Sequence, residues 1–388
     1  MNNMKIALFH PWIKSRGGAE RVVLEFLKNS SHKVDLYTWV FDEENTFEEF
    51  KNFNIKVIAP NFMKRFSRSF ISRGFISLFG LFSKINLKDY DVFFVSTSGI
   101  AEIITLRNHK KGGTFAYVHT ILRDSYKDIV SWNLKYRQKN IFKKIFYLFS
   151  VLNYRIIEKI SWKNIDGAIF NSHLSLSRAK NHRLLKGKQT YITHPPIDLE
   201  KFKKVKTRKD NYFIYISRFN IPKRQDVLVE AWKKFVEETG NKENYKLILI
   251  GNKENERFFN KVKNLSKGVK SIEIKTNLSD EELLNYYSGC LASIFVPFME
   301  DFGIVPIESL AMGKPLLAVD NGGYIELVEE YKGFFPIKEK FDRGLMVEEI
   351  SKSIKDFLKR DFGKINRKTF NDLSSKKFTQ KIEDIFKN

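Results

Sequence analysis

At 388 residues, 43% of them hydrophobic and 14% aromatic, the chain exceeds one ordinary core and suits two domains. Its single cysteine, Cys290, excludes a disulfide framework and a cysteine-based zinc site. Lysine and arginine number 68 against 45 acids, a formal charge of +23 that calls for a polyanionic partner, either nucleic acid or an acidic membrane surface.

The opening run Met4-Lys5-Ile6-Ala7-Leu8-Phe9-His10-Pro11 is too short for a signal peptide and reads as a first buried strand. No run approaches the ~20 apolar residues that a spanning helix needs. With its one cysteine, the chain reads as cytoplasmic. From about Lys5 to Thr193, short β-like runs alternate with longer helical ones, the pattern of a doubly wound parallel α/β sheet. The runs are Ile6–Phe9, Val34–Thr38, Ile55–Ile58, Val92–Ser96, Thr114–His119, Gly167–Phe170 and Thr190–Ile192. Ligands of such sheets bind at the carboxyl ends of the strands. Gly17-Gly18-Ala19-Glu20-Arg21 follows the first strand and opens a helix, where glycine lets a ligand approach the backbone, although the full dinucleotide fingerprint is absent. His119 closes its strand at the same edge. Asp89-Tyr90-Asp91 has the spacing of a metal-nucleotide aspartate pair, but it directly precedes the apolar run Val92-Phe93-Phe94-Val95 and reads as a loop entering a strand, so no metal is expected.

Two stretches are basic and aromatic. Residues 61–88 carry Lys64, Arg65, Arg68, Arg73, Lys84 and Lys88 without an acid, with Phe62, Phe66 and Phe70, then Phe75, Phe79 and Phe82, near helical spacing. That is a basic amphipathic helix suited to an anionic membrane, or equally a core face with a solvated basic side. The second stretch, 136–163, has Glu158 as its only acid.

His194-Pro195-Pro196-Ile197-Asp198 marks a hinge. A second alternating series follows, with runs Phe213–Ser217, Lys246–Ile250, Ile272–Lys275, Leu291–Val296, Pro315–Val319 and Gly333–Pro336. Arg218 and Lys223 stand at the carboxyl end of its first strand, where cations could neutralise a diphosphate. After the run ending at Val296 comes Phe298-Met299-Glu300-Asp301-Phe302-Gly303-Ile304-Val305-Pro306-Ile307-Glu308, a tight loop feeding a helix with proline in its first turn. Glycine before a helix N-terminus suits a phosphate, and the flanking carboxylates Glu300 and Glu308 suit sugar hydroxyls. The ligand is then part phosphate and part polyol.

Glu300 and Glu308 with Phe302-Gly303 between them resemble the glutamate pair of the family 4 retaining glycosyltransferases, which have the two-domain GT-B fold. The resemblance extends to Gly17-Gly18-Ala19-Glu20-Arg21, Tyr117-Val118-His119-Thr120, Asn171-Ser172, the Arg218 and Lys223 pair and the paired glycines of Asp320-Asn321-Gly322-Gly323. It implies two Rossmann-like domains facing each other across a cleft. Residues 1–194 would bind the acceptor, 195–365 the nucleotide-sugar donor, and 366–388 would send a helix back to the first domain. It also implies the roles. Donor-binding residues would be Gly17, Gly18, Arg218, Lys223, Glu300, Phe302, Gly303, Ile304, Val305 and Glu308, with His119, Glu300, Arg218 and Lys223 catalytic. No cofactor and no metal are implied. The donor would be a nucleotide diphosphate sugar.

Two departures bear on that donor. Gly251-Asn252-Lys253 lacks the usual second glycine, and Thr276 stands where glycine is common, both near the expected base pocket. Val118-His119-Thr120-Ile121-Leu122-Arg123 and Pro195-Pro196-Ile197-Asp198 look most like the GDP-mannose branch, which builds surface polysaccharides and lipid-linked oligosaccharides. The expected partners are GDP-mannose or another nucleotide diphosphate sugar, a lipid-linked or polysaccharide acceptor, and the inner membrane face through residues 61–88 and 136–163, with no nucleic acid. A UDP-sugar enzyme of the same fold is the alternative, ahead of a non-catalytic membrane- or nucleic-acid-binding protein.

Overall fold

The computed structural model describes residues 3–59, 82–125, 127–136, 140–198, 200–203, 205–361, 365, 367 and 370–387. The expected amphipathic helix of the first basic stretch therefore lies, for residues 60–81, outside the described residues. Two compact units make up the chain, one of residues 1–196 with 372–388 and one of residues 197–371.

In the first unit a parallel sheet is built from β1 (Lys5–Phe9), β2 (Lys33–Thr38), β3 (Ile55–Val57), β4 (Val92–Thr97), β5 (Thr114–Val118), β6 (Gly167–Phe170) and β7 (Gln189–Ile192). Their order across the sheet is β3-β2-β1-β4-β5-β6-β7. Alternate residues feed two cores: Ile6, Leu8, Val92 and Phe94 pack on one face, and Ala7, Phe9, Phe93 and Val95 on the other. Burial on both faces is why these strands read as unbroken apolar runs. The aspartate pair is indeed the entry to β4, where Asp91 Oδ2 accepts the Lys5 N–H at 2.8 Å and the buried Tyr90 hydroxyl bonds to Asp35.

The second unit repeats the plan with β8 (Tyr212–Ile216), β9 (Lys246–Ile250), β10 (Ile272–Lys275), β11 (Ala292–Phe295), β12 (Leu316–Val319) and β13 (Phe334–Ile337). Their order is β10-β9-β8-β11-β12-β13, again all parallel. In both sheets the order reverses beside the first strand, which opens a crevice at the carboxyl ends there. The carboxyl ends of β1 and β8 carry the His10 and Arg218 segments.

The tail forms a helix over Ser375–Lys387. Phe378, Ile382, Ile385 and Phe386 join the core of the first unit, with Phe386 against Phe94 and Phe115 at 5.0 and 5.1 Å between centroids. Burying each such side chain contributes roughly 1.5–3 kcal/mol. Glu383 fixes the register by accepting the Ser30 hydroxyl at 2.7 Å, the Ser31 hydroxyl at 2.8 Å and the Ser31 N–H at 3.0 Å. Among the described residues, no helix is long and apolar enough to cross a membrane.

Candidate active site

The loop after β11 turns through Met299, at φ 54°, and Gly303, at φ 90°, into a helix of residues Ile304–Ala311. A Cβ on Gly303 would stand 2.8 Å from the Tyr324 ring and 3.1 Å from Phe295, so only glycine lets the chain enter the helix here. No side chain caps this N-terminus. Its first-turn N–H groups, at Ile304 and Val305, keep the positive end of the helix dipole available to an anion. Pro306, third in the helix, removes a donor that would have had no partner in any case. Phe302 is buried and supplies packing through its ring.

The paired glycines of the Asp320–Glu326 segment support this loop rather than stand as a separate turn. Gly322 pairs with Glu300 as an isolated parallel bridge, and the Gly323 N–H reaches the Glu300 carbonyl at 3.4 Å. The loop after β8 is tied to the same place, since the Phe298 N–H donates to the Pro222 carbonyl at 2.7 Å. Gln225 stiffens it by donating to the Ser217 hydroxyl at 2.8 Å and the Arg218 carbonyl at 3.0 Å. The Tyr215 hydroxyl also donates to the Lys223 carbonyl.

Each cation of this region meets a carboxylate. Lys223 Nζ lies 2.6 Å from Glu300 Oε2, which brings together two expected site residues that are far apart in sequence. Arg218 turns instead to Glu254 at 3.3 Å. Glu308 accepts the Tyr287 hydroxyl at 3.0 Å and lies 3.6 Å from Lys201 Nζ. Arg224, at φ 55°, pairs with Glu339 at 2.8 Å and lays its guanidinium over the Phe298 ring at 4.6 Å. Burial holds the Glu339 carboxyl above the usual carboxylate range, with Arg224 opposing that shift. An incoming diphosphate would compete with Glu300 and Glu254 for cations already aimed at the loop.

In the first unit the helix of residues Gly18–Asn29 is capped by Gly17. A Cβ on Gly17 would fall 2.3 Å from Glu20 Oε2, while Glu20 Oε1 accepts the Ser15 hydroxyl at 2.7 Å. His119 follows β5, which ends one residue earlier than its apolar run implies. Its N–H donates to the Thr97 carbonyl at 2.9 Å, and its carbonyl accepts from Asn171 at 2.8 Å. The Ser96 hydroxyl lies 2.8 Å from His119 Nε2 and 3.0 Å from His10 Nδ1. One hydroxyl proton cannot serve both rings, so one imidazole accepts from Ser96 and the other donates to it. Burial lowers the His119 pKa well below its usual value, and His10 lowers it further. Burial likewise takes His10 down to about 4, opposed by the Ser96 backbone. Both rings are therefore neutral near pH 7.

Sequence reading passed over Glu254, Glu339, Arg224, Lys201, His10 and Ser96. Only His10 carried a signal, its place at the carboxyl end of β1. Arg224 sits beside the noticed Lys223, but nothing in the sequence around it reveals a left-handed backbone.

Residues 196–370 match the family of glycosyl transferases group 1. Over 377 residues the chain is 26% identical to alpha-1,3/1,6-mannosyltransferase ALG2 of Saccharomyces cerevisiae, covering 84% of this chain and 71% of that protein. It is 25% identical over 382 residues to GDP-Man:Man(3)GlcNAc(2)-PP-Dol alpha-1,2-mannosyltransferase of Homo sapiens, covering 86% and 76%. The fold is similar to that of Anabaena Alr3699/HepE, solved in complex with UDP-glucose, with a TM-score of 0.64 at 16% identity over 99% of this chain and 100% of the other. Residues 196–370 thus form a glycosyl transferases group 1 domain, and the chain is a glycosyltransferase of the GT-B fold.

Proposed function

We propose that the chain moves a hexose, with mannose favoured, from a nucleotide diphosphate sugar to a lipid-linked or polysaccharide acceptor, with retention at the anomeric carbon. The observation that carries this reading is the Lys223 to Glu300 ion pair beside the uncapped helix N-terminus at Gly303. The diphosphate would take the N–H groups of Ile304 and Val305 together with Lys223 and Arg218. Glu300 would then be released to the hydroxyls of the donor sugar, and Glu308 would hold the ribose. Charge grows on the leaving phosphate as the glycosidic bond breaks, so these preorganised donors act most strongly in the transition state. The departing diphosphate takes the acceptor's proton. No metal and no cofactor enter this scheme.

The donor is GDP-mannose in this reading, because both mannosyltransferase relatives match over most of the chain. A UDP-sugar is the second reading, favoured by the likeness to a structure holding UDP-glucose. A melting-temperature screen with GDP, UDP and their sugars, without metal, separates them. Ligand at 100 times its Kd adds about 2.7 kcal/mol of stability. A response to GDP and GDP-mannose alone is expected, and a response confined to UDP compounds would transfer the assignment to the second reading.

The acceptor would be met at an anionic membrane, on its cytoplasmic side. The helix of residues Ile141–Trp162 supports this, because it leaves a wide apolar face in solvent. Phe142, Phe146 and Phe149 are 77%, 72% and 63% exposed, with Ile145, Leu152, Ile156 and Ile160 beside them and Lys143, Lys144 and Lys159 interspersed. Apolar side chains flanked by cations are what an anionic bilayer accepts. Replacing Phe142 and Phe146 by serine removes about 2–4 kcal/mol of insertion. Binding to phosphatidylglycerol vesicles should fall roughly 30-fold or more, and unchanged cosedimentation would remove this face from the proposal.

A further inference from the structure

The first unit has a second opening, at the sheet edge opposite His119. A cavity of about 680 Å³ lies beside the amino-terminal ends of β6 and β7, lined by Lys159, Lys163, Arg183, Lys186, Lys188 and Asp166. The side chains come from separate segments. Lys159 and Lys163 stand in and just after the last turn of the Ile141–Trp162 helix, Asp166 immediately precedes β6, and the others lie in the loop that leads into β7. Phe115 and Leu184, both buried, close its floor.

Charge here contrasts with the candidate active site, where the cations meet carboxylates. Among the described residues, Lys159, Lys163, Arg183 and Lys186 form no ion pair. Lys188 Nζ donates to the Ile165 carbonyl at 2.5 Å, and the lining's one acid, Asp166, accepts the Thr114 N–H at 2.9 Å. The carboxyl end of the helix balances part of the charge on Lys159 and Lys163, yet a cationic excess remains around one concavity. Arg183 is held there at φ 57°, a backbone state that arginine rarely adopts. The volume lies in the range of small-ligand sites. Lysine ammonium groups and a guanidinium fork together match phosphate oxygens better than a single carboxylate.

We propose that this cavity binds a ligand bearing two or more phosphate charges, at a site separate from the one that handles the donor. The phosphates come either from a soluble polyphosphorylated molecule or from an anionic lipid headgroup. Ile156 and Ile160, about half exposed on the same helix and next to Lys159, lie where lipid chains would continue from such a headgroup.

The test uses full-length protein carrying Lys223→Ala, to weaken anion binding at the donor loop. In that background the pair Lys163→Glu with Arg183→Glu is compared with the pair Lys242→Glu and Lys332→Glu, two exposed lysines of the other unit. Inorganic tripolyphosphate is titrated by calorimetry, and vesicles of phosphatidylcholine with cardiolipin, whose headgroup carries two phosphates, by cosedimentation. A tenfold or greater loss of tripolyphosphate affinity in the cavity pair alone supports the site with a soluble source. Absent tripolyphosphate binding, a tenfold loss of vesicle binding in the cavity pair, against under threefold in the other pair, supports it with a lipid source. Equal effects of the two pairs in both titrations, or no effect of either, overturn it. If the charge-reversed cavity pair melts early, Lys163→Gln with Lys186→Gln reads the same difference. Failure of the donor assignment would leave these comparisons unchanged, because Lys223 is absent from every protein compared.

Discussion

Lys223→Ala lowers turnover by about 10²–10³ while the protein melts near its usual temperature. That range is what removal of one preorganised group facing a developing oxyanion typically costs, about 2.7–4 kcal/mol. The fold should tolerate the change because the Lys223 and Glu300 side chains, 20% and 13% exposed, both reach solvent. The ion pair makes the comparison with Glu300→Ala sharper than either variant alone. Glu300 pairs with Lys223, so a diphosphate bound to Lys223 as proposed would have to displace it. Removing Lys223 takes away an anion ligand, and nucleoside diphosphate binding should weaken together with turnover. Removing Glu300 takes away a competitor, so transfer should collapse while product diphosphate binds as well as before or more tightly. Turnover and calorimetric binding of GDP, with UDP as the alternative, read both effects. Full activity in either variant would end the catalytic assignment. Parallel losses of diphosphate affinity in both would show that Glu300 supports Lys223 rather than competing for it.

Much of this geometry could be read in the sequence, and the unread part has physical causes. The strands were visible because a parallel sheet covered on both faces makes its strands continuous apolar runs, and Val92 to Val95 is such a run. Gly303 was visible because a glycine between a strand and a helix with proline in its first turn admits few other conformations. The pairings Arg218 to Glu254 and Arg224 to Glu339 were not visible, since they join loops of the second unit that meet only once its sheet has formed. In a chain of +23, lysine and arginine are too frequent for any one of them to draw notice. The same abundance hid the cavity at Lys163 and Arg183, whose lining converges from segments the sequence gives no reason to join. The stretch 136–163 shows a third limit. Its basic and aromatic composition did not tell which apolar residues turn inward, and in the structure Val151 and Trp162 are buried while Phe142 and Phe146 face solvent.

Gly251→Ala should damage stability and transfer together, which separates it from the variants above. Gly251 follows β9 at φ 156°, and a Cβ there would sit 1.9 Å from the Ser217 carbonyl oxygen and 3.2 Å from the Arg218 nitrogen. These are backbone atoms, so no rotamer change relieves the clash. The neighbouring bonds resist a shift, because the Ser217 N–H donates to the Ile250 carbonyl at 2.9 Å and the Gly251 N–H to the Lys275 carbonyl at 3.1 Å. Overpacking and a strained backbone state each cost about 1–3 kcal/mol. A combined loss near 3 kcal/mol lowers the melting temperature by roughly 6–12 °C in a domain of this size. The residue pushed aside is Arg218, so diphosphate affinity falls in the same variant. Asn252 and Lys253 carry side chains without such a clash, and they also make contacts the loop needs. The Asn252 carbonyl accepts the Phe219 N–H at 2.9 Å, and Lys253 forms a bridge with Phe219. Glycine is thus required at the first position of this turn and not at the second. An alanine at 251 that left melting temperature and nucleotide affinity untouched would mean that β9 and the Arg218 loop are not packed as closely as these distances state.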